Sequence, residues 1–206
     1  MPTLVLSDRG RVGPRDLDRQ PLAGAESAFV ELARALASRG HEVFVRNRGS
    51  EVAIDELGGG SLDWGPLERP LPSRVDCHVA NRDPRLLGYV PQPGRRLLWL
   101  HNTARYLLHP RFQVRLLRYW PTLVFSGSYH RSTYPWWLPA GRRVIVPYGI
   151  QDLFRQAEPA TEPPPPRAIF TSNPLRGLDW LLGVWRRSIH PAVPNAELHL
   201  FSGPET

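Results

Sequence analysis

The sequence contains no lysine and one cysteine, and it has neither a long apolar run nor a leader-like N-terminus. One cysteine, Cys77, leaves no second thiol for an intramolecular disulfide and excludes a cysteine-rich metal site. It lies in the apolar run Val75-Asp76-Cys77-His78-Val79-Ala80, where a buried structural thiol is expected. No segment approaches the ~20 apolar residues of a membrane span. No charged segment followed by about 7–15 apolar residues marks a signal peptide, so the expected location is the cytoplasm. Every basic residue in the net charge of +7 is an arginine. Arginine in place of lysine, with much Pro, Ala, Gly and Leu, is what GC-rich coding produces, and this competes with selection for phosphate contacts as the cause. The excess charge also favours weak attraction to a diphosphate or to anionic lipid, which adds peripheral membrane contact to the expected location. No nucleic-acid partner is expected, because the arginines are spread along the chain and no helix-turn-helix, zinc-finger or RNA-binding signature occurs.

What is present is an alternation of β and α segments. Two hundred and six residues suit one domain and a fraction of another, at roughly 100–150 residues per domain. Thr3–Ser7 is a short apolar strand, followed by a Gly/Pro/Asp/Arg loop to about Ala23. Ala28, Phe29, Leu32, Ala33, Leu36 and Ala37 then recur at helical spacing up to Gly40, and residues 42–46 return to strand character. A βαβ unit implies a parallel sheet covered by helices. Further strands are expected over residues 75–80, 96–100, 122–125 and 143–146, with helices over 105–119 and 129–136; Pro110 should kink or split the first helix. Residues 51–72, rich in Gly, Pro and acidic side chains, read as mostly irregular. The fold class is α/β, a Rossmann-like parallel sheet with helices on both faces, over residues 1–150. Residues 151–166, ending in four prolines, read as a stiff linker. Residues 167–206 read as the opening of a second Rossmann-like domain: strand 167–171, helix 178–189, strand 197–201. That second domain is expected to be incomplete, so the chain reads as a truncated form.

Open α/β sheets bind ligands beyond the carboxyl ends of their strands. The loop after the first strand has Gly10 and Gly13 but no Gly-x-Gly-x-x-Gly, so a dinucleotide fingerprint is absent. Gly24, followed by Ala25 and Glu26, opens the first helix; it either brings the helix N-terminus close to a phosphate or is a plain helix start with Glu26 complementing the dipole. His101-Asn102 follows the strand 96–100, where the pair would hydrogen-bond a substrate hydroxyl, shuttle a proton or cap a loop. His109 and His130 read as surface or packing residues. Ser126-Gly127-Ser128 follows the next strand, with Ser128 either the N-cap of a helix or a ligand contact. No Gly-x-Ser-x-Gly elbow supports a serine hydrolase, and metal-ligand spacing is absent.

The ordered set Gly24-Ala25-Glu26, Ser38-Arg39-Gly40-His41-Glu42-Val43, His101-Asn102, Ser126-Gly127-Ser128-Tyr129-His130-Arg131 and Val146-Pro147-Tyr148-Gly149-Ile150 resembles the N-terminal domain of family-4 retaining glycosyltransferases of the GT-B fold. The tail from Ile169 to Leu178, through Asn173, Pro174, Arg176 and Gly177, is similar to the start of that family's donor domain. The resemblance implies two facing Rossmann domains, one for the acceptor and one for the nucleotide-sugar. It implies His101 as the catalytic-site residue, in contact with the transferred sugar or the acceptor, and Gly24, Ala25, Arg176 and Gly177 as donor-diphosphate contacts. Asn102 and Ser128 are the acceptor-side candidates. Arg176 stands where the family often has lysine before glycine, and would neutralise charge building on the leaving phosphate. Tyr148 replaces a common asparagine, and Ser172-Asn173 replaces Gly-Arg, removing one customary cation. The family's Glu-x7-Glu segment would follow Thr206.

The expected function is therefore sugar transfer from a nucleotide-sugar to a saccharide or lipid-linked acceptor with retention of configuration, in a fragment inactive without the remainder of its donor domain. Neither a cofactor nor a metal is called for, since the helix dipole and Arg176 can hold the diphosphate. The alternative is a non-catalytic Rossmann-like binding or interaction module. Trp136-Trp137-Leu138-Pro139 beside Arg142-Arg143 has two readings, a lipid-interface contact or core packing of one tryptophan.

Overall fold

Val5 and Leu6 point to opposite faces of strand β1 (Thr3–Ser7) and both are fully buried, the signature of a central strand in a parallel sheet covered on both sides. The computed structural model describes residues 1–20, 22–150, 152–156, 158 and 165–201, which fall in two compact units, Met1–Gly149 and Ile150–Thr206. In the first unit β1 pairs in parallel with β2 (Glu42–Asn47) on one side and with β5 (Cys77–Asn81) on the other. The eight-stranded sheet is completed by β3 (Ala53–Leu57), β4 (Gly60–Pro66), β6 (Arg95–Trp99), β7 (Thr122–Phe125) and β8 (Arg143–Ile145). Its order is β3-β4-β2-β1-β5-β6-β7-β8, and only the β3–β4 pair is antiparallel. The chain therefore builds outward from β1 in one direction, returns, and builds outward in the other. The reversal lies between β1 and β5.

One face is covered by α2 (Gly24–Ala37), which follows a short α1 (Asp16–Arg19) and buries Phe29, Val30, Ala33 and Ala37. Phe29 meets Trp64 of β4 edge to face at 6.0 Å. The other face is covered by two 3₁₀ turns, Pro84–Gly88 and Ala104–Leu108, and by α3 (Pro110–Tyr119). Leu86, Leu87, Leu107, Phe112 and Leu116 pack there against Leu98, Leu100, Leu123 and Phe125. Pro110 sits in the first turn of α3, where its missing N–H costs nothing, and it divides the expected helix as anticipated.

Several expectations are corrected. Residues 51–72 are not mostly irregular: they contain the β3–β4 hairpin, closed by Gly58 and Gly59 at φ of 57° and 86°. The helix expected over 129–136 is only α4 (Ser128–Ser132), and its N-cap is Gly127, not Ser128, whose side chain makes no cap. Trp136 and Trp137 are 83% and 68% exposed, so neither fills the core. Cys77 is half-buried against the α2-side cluster, with its thiol pKa raised by burial.

The second unit contains α5 (Asp152–Gln156) and a parallel pair, β9 (Arg167–Phe170) with β10 (Glu197–Leu200). Between these strands run a 3₁₀ turn Pro174–Arg176, α6 (Leu178–Val184), a π segment Trp185–Ile189 and α7 (His190–Ala192), so the helix expected over 178–189 runs on without a break to Ala192, with a π stretch inside it. Much of the proline-rich tract expected as a linker, including Pro163 and Pro164, lies outside the described residues.

Candidate functional site

The carboxyl ends of β1, β5 and β6 meet at the reversal of strand order, the place where doubly wound sheets open a crevice. β5 ends on Asn81, fully buried, and the β6 segment continues through Leu100 to His101. The Nε2 of His101 lies 2.7 Å from the Asn81 Oδ1, and its Nδ1 lies 2.7 Å from the Tyr148 hydroxyl. An amide oxygen can only accept, so Nε2 carries the proton and Nδ1 accepts from Tyr148. Trp99, on the same sheet face two residues earlier, brings its ring to 4.5 Å from His101, and Tyr148 stacks on the imidazole at 5.7 Å. Burial and then the Arg82 charge lower the His101 pKa to about 4. The imidazole is therefore neutral near pH 7. Of the two chemical roles the sequence leaves open, this favours a hydrogen-bonding partner for a hydroxyl over a proton shuttle. Two buried donors at this place, Asn81 Nδ2 and Trp99 Nε1, have no partner among the described residues.

Beside this group stands an ion pair linking the two strands that flank the reversal. Asp8, buried just after β1, accepts from Arg82 Nη2 at 2.6 Å and Nε at 3.3 Å. Arg82 holds φ of 62°, an uncommon backbone for a non-glycine residue, and its carbonyl accepts from the Tyr106 hydroxyl at 2.7 Å. Burial opposes the Arg82 charge, but the Asp8 contact and the Glu26 carboxylate more than offset it, so its pKa is raised. Burial likewise opposes ionisation of Asp83, yet hydrogen bonds from Arg85 and the charges of Arg85 and Arg9 hold its pKa below the usual value. An open cleft of about 410 Å³ runs along Asp8, Arg9, Arg82, Asp83, Arg85 and Tyr106. Its arginines are already paired with carboxylates.

The sequence-derived candidates distribute as follows. α2 runs back antiparallel to β1, because a short turn after Ala37 leads into the start of β2. A helix of 14 residues at ~1.5 Å per residue returns its first turn to the same sheet edge as His101. Gly24 and Ala25 lie in that turn. Their N-cap, Ala23, gives no side-chain cap, and a Cβ built on Gly24 would meet nothing within 4 Å. The Asn102 side chain is exposed, while its carbonyl accepts from His130 Nε2 at 2.6 Å. The other His130 nitrogen accepts from the Ser126 N–H at 3.2 Å, so this buried histidine ties the loop after β6 to the loop after β7. His130 is thus a packing residue. Ser128 is exposed at the start of α4. Arg176 and Gly177 belong to the second unit; Arg176 is exposed, and Gly177, at φ of 104°, turns the chain into α6. The reading that metal-ligand spacing is absent needs one correction, since Asp16-Leu17-Asp18 has Asp-x-Asp spacing; both carboxylates are engaged internally, Asp16 accepting from the Gly13 N–H and Asp18 from Arg34.

Sequence reasoning missed Asn81, Arg82 and Asp8. The polar run Asn81-Arg82-Asp83 directly after an apolar strand is the signal that marks the first two. His78 was also missed as a buried group. It lies on β5, 2.8 Å from the Ser7 hydroxyl, and burial followed by Arg96 lowers its pKa to about 3. It is a structural neutral imidazole.

No protein-family model matches the sequence, and no curated protein matches it. Among solved structures, sucrose-phosphate synthase from Thermosynechococcus elongatus is similar in fold, with a TM-score of 0.64 at 12% identity. The match covers 100% of this chain, which spans 64% of the length of that structure. At that identity the likeness shows the fold.

Proposed function

We propose that the chain belongs to a GT-B-type glycosyltransferase, with residues 1–150 forming its acceptor-side domain and residues 167–206 opening its nucleotide-sugar domain. One observation carries this reading: a neutral, oriented imidazole, His101, at the strand-order reversal of a sheet whose fold matches that of a sucrose-phosphate synthase. A nucleotide-sugar donor and a saccharide or lipid-linked acceptor are the substrates. The acceptor hydroxyl replaces the nucleoside diphosphate on the anomeric carbon, with retention of configuration.

His101 then hydrogen-bonds a hydroxyl of the transferred sugar through Nδ1, the nitrogen that Tyr148 occupies here. The Tyr148 hydroxyl holds the place of a substrate hydroxyl and gives way to it. Asn81 fixes the ring and its tautomer. The open first turn of α2, at Gly24 and Ala25, offers N–H groups and a positive dipole end to phosphate oxygens. Arg176 and Gly177 are assigned to the donor diphosphate, where a guanidinium can make two parallel hydrogen bonds to developing charge. Asn102 and Ser128 are assigned to the acceptor.

The test is to incubate the full-length gene product with a panel of nucleotide-sugars and acceptors, measuring nucleotide release and the anomeric configuration of the product. Release with a retained anomer is expected, and His101→Ala should lower kcat/KM by about a hundredfold, the order of one lost transition-state hydrogen bond. Neither hydrolysis nor transfer with any donor overturns the reading in favour of a binding module. Activity unchanged in His101→Ala removes that residue from the chemistry.

A further inference from the structure

The arginines are spread along the chain, but the carboxylates are not. Between Asp83 and Asp152 there are ten arginines and neither aspartate nor glutamate. This stretch builds β6, β7, β8, α3 and α4, so one half of the sheet carries the whole positive excess.

At the amino-terminal edge of that half, opposite the edge that holds His101, large apolar side chains stand in solvent. Trp120, left-handed at the end of α3, is 57% exposed, and Trp136 and Trp137 precede β8. The loop carrying the two indoles is fastened down rather than loose. Arg143 donates to the carbonyls of Trp136 at 2.8 Å and Leu138 at 2.6 Å, and the Tyr134 hydroxyl donates to Pro139 at 2.9 Å. The Gly141 N–H bonds the Pro121 carbonyl at 3.0 Å, which sets the loop beside the end of α3. Toward the end of α3, Val114, Leu117 and Arg118 are all exposed at helical spacing, so its outward face sets a cation beside apolar groups. Arg115, Arg118 and Arg142 form no ion pair with a described residue.

We propose that this edge is a docking surface for an anionic lipid bilayer. Charge complementarity selects a polyanionic partner. Among polyanions, a bilayer is the one whose headgroup boundary also takes indoles and aliphatic side chains beside arginines. Docked by this edge, the protein would keep the opposite edge, with His101, away from the lipid.

The experiment is flotation of the purified chain with phosphatidylcholine vesicles, with and without phosphatidylglycerol. Binding to the anionic vesicles alone is expected, weakening as salt rises. Arg118→Gln should lower partitioning about fivefold, the value of one juxtamembrane charge. Arg48→Gln, which removes an exposed charge just beyond the carboxyl end of β2, on the opposite edge of the sheet, should leave partitioning unchanged. Trp136→Ser with Trp137→Ser should lower partitioning at least tenfold and abolish quenching by brominated lipid, with an unaltered far-UV melting curve because both rings are exposed. Absence of binding, equal binding to neutral vesicles, equal losses for Arg118→Gln and Arg48→Gln, or binding unaffected by the tryptophan changes would each overturn the proposal. So would equal retention of wild-type and tryptophan-changed protein on single-stranded DNA, the behaviour of a generic polyanion surface.

Discussion

Both nitrogens of His101 are engaged, but by partners of different standing. Asn81 is fully buried and Tyr148 is 44% exposed, so one hydrogen bond is part of the interior and the other is open to exchange. Truncating Asn81 strands a half-buried imidazole N–H at its inner side, and an unsatisfied buried donor costs ~1–3 kcal/mol. Asn81→Ala is therefore expected to lower unfolding free energy by about that much in urea titration. Tyr148→Phe removes a half-exposed contact and is expected to cost less than ~1 kcal/mol, while freeing Nδ1 for a ligand hydroxyl. Equal losses in the two variants would contradict the distinction. The sequence points to His101 because the residue follows an unmistakable apolar strand. Asn81 escapes because a strand reading over residues 75–80 stops one residue short of the strand's true end. Tyr148 lies far along the chain from His101, and only the sheet brings them together.

At the scale of elements, central strands are legible in sequence because burial on both faces makes them continuous apolar runs, as with Leu4, Val5 and Leu6. The β3–β4 hairpin is hidden because it lies at the edge of the sheet. Its exposed positions on β3 are one apolar and one acidic residue, Ile54 and Glu56, and Asp55 and Asp63 break up the apolar residues on both strands. The clue is the triple glycine at the turn, where the register pairs Leu57 with Gly60 around Gly58 and Gly59. The two turn glycines separate backbone strain from steric collision. A Cβ on Gly59 would meet nothing within 4 Å, so Gly59→Ala carries only the left-handed penalty, ~1–2 kcal/mol. A Cβ on Gly58 would also run into the Ser38 carbonyl behind α2, so Gly58→Ala should be the more destabilising by thermal or urea unfolding. The reverse order would show that the hairpin does not lean on the end of α2.

At the scale of the whole molecule, the order of strands does what no local pattern announces: it places His78 at the centre of the sheet and His101 at its carboxyl edge. Helix and strand periodicities foretell the α/β class and the first βαβ unit, but not which strand lies beside β1. That pairing closes His78 onto Ser7 and away from water. Both imidazoles have folded-state pKa values lowered below the ordinary 6.5, His78 to about 3 and His101 to about 4. Below pH 6.5 the unfolded chain takes up protons that the folded chain refuses, so stability is full above that value and falls as the solution is acidified. For the fully buried His78 the fall approaches ~1.4 kcal/mol per pH unit between about pH 6 and pH 4. His101 adds to it down to its own folded value of about 4. Carboxylates such as Asp83, whose pKa is lowered in the fold, contribute further only below the ordinary carboxylate range near ~4. Urea unfolding at pH 7, 6, 5 and 4.5 should therefore show a steepening loss before carboxylate titration begins. His78→Gln, which keeps a hydrogen-bonding group near Ser7 but cannot take up a proton, should flatten that slope by about one proton's worth. If the slope is the same in the variant, acid sensitivity arises elsewhere and the burial of His78 has no part in it.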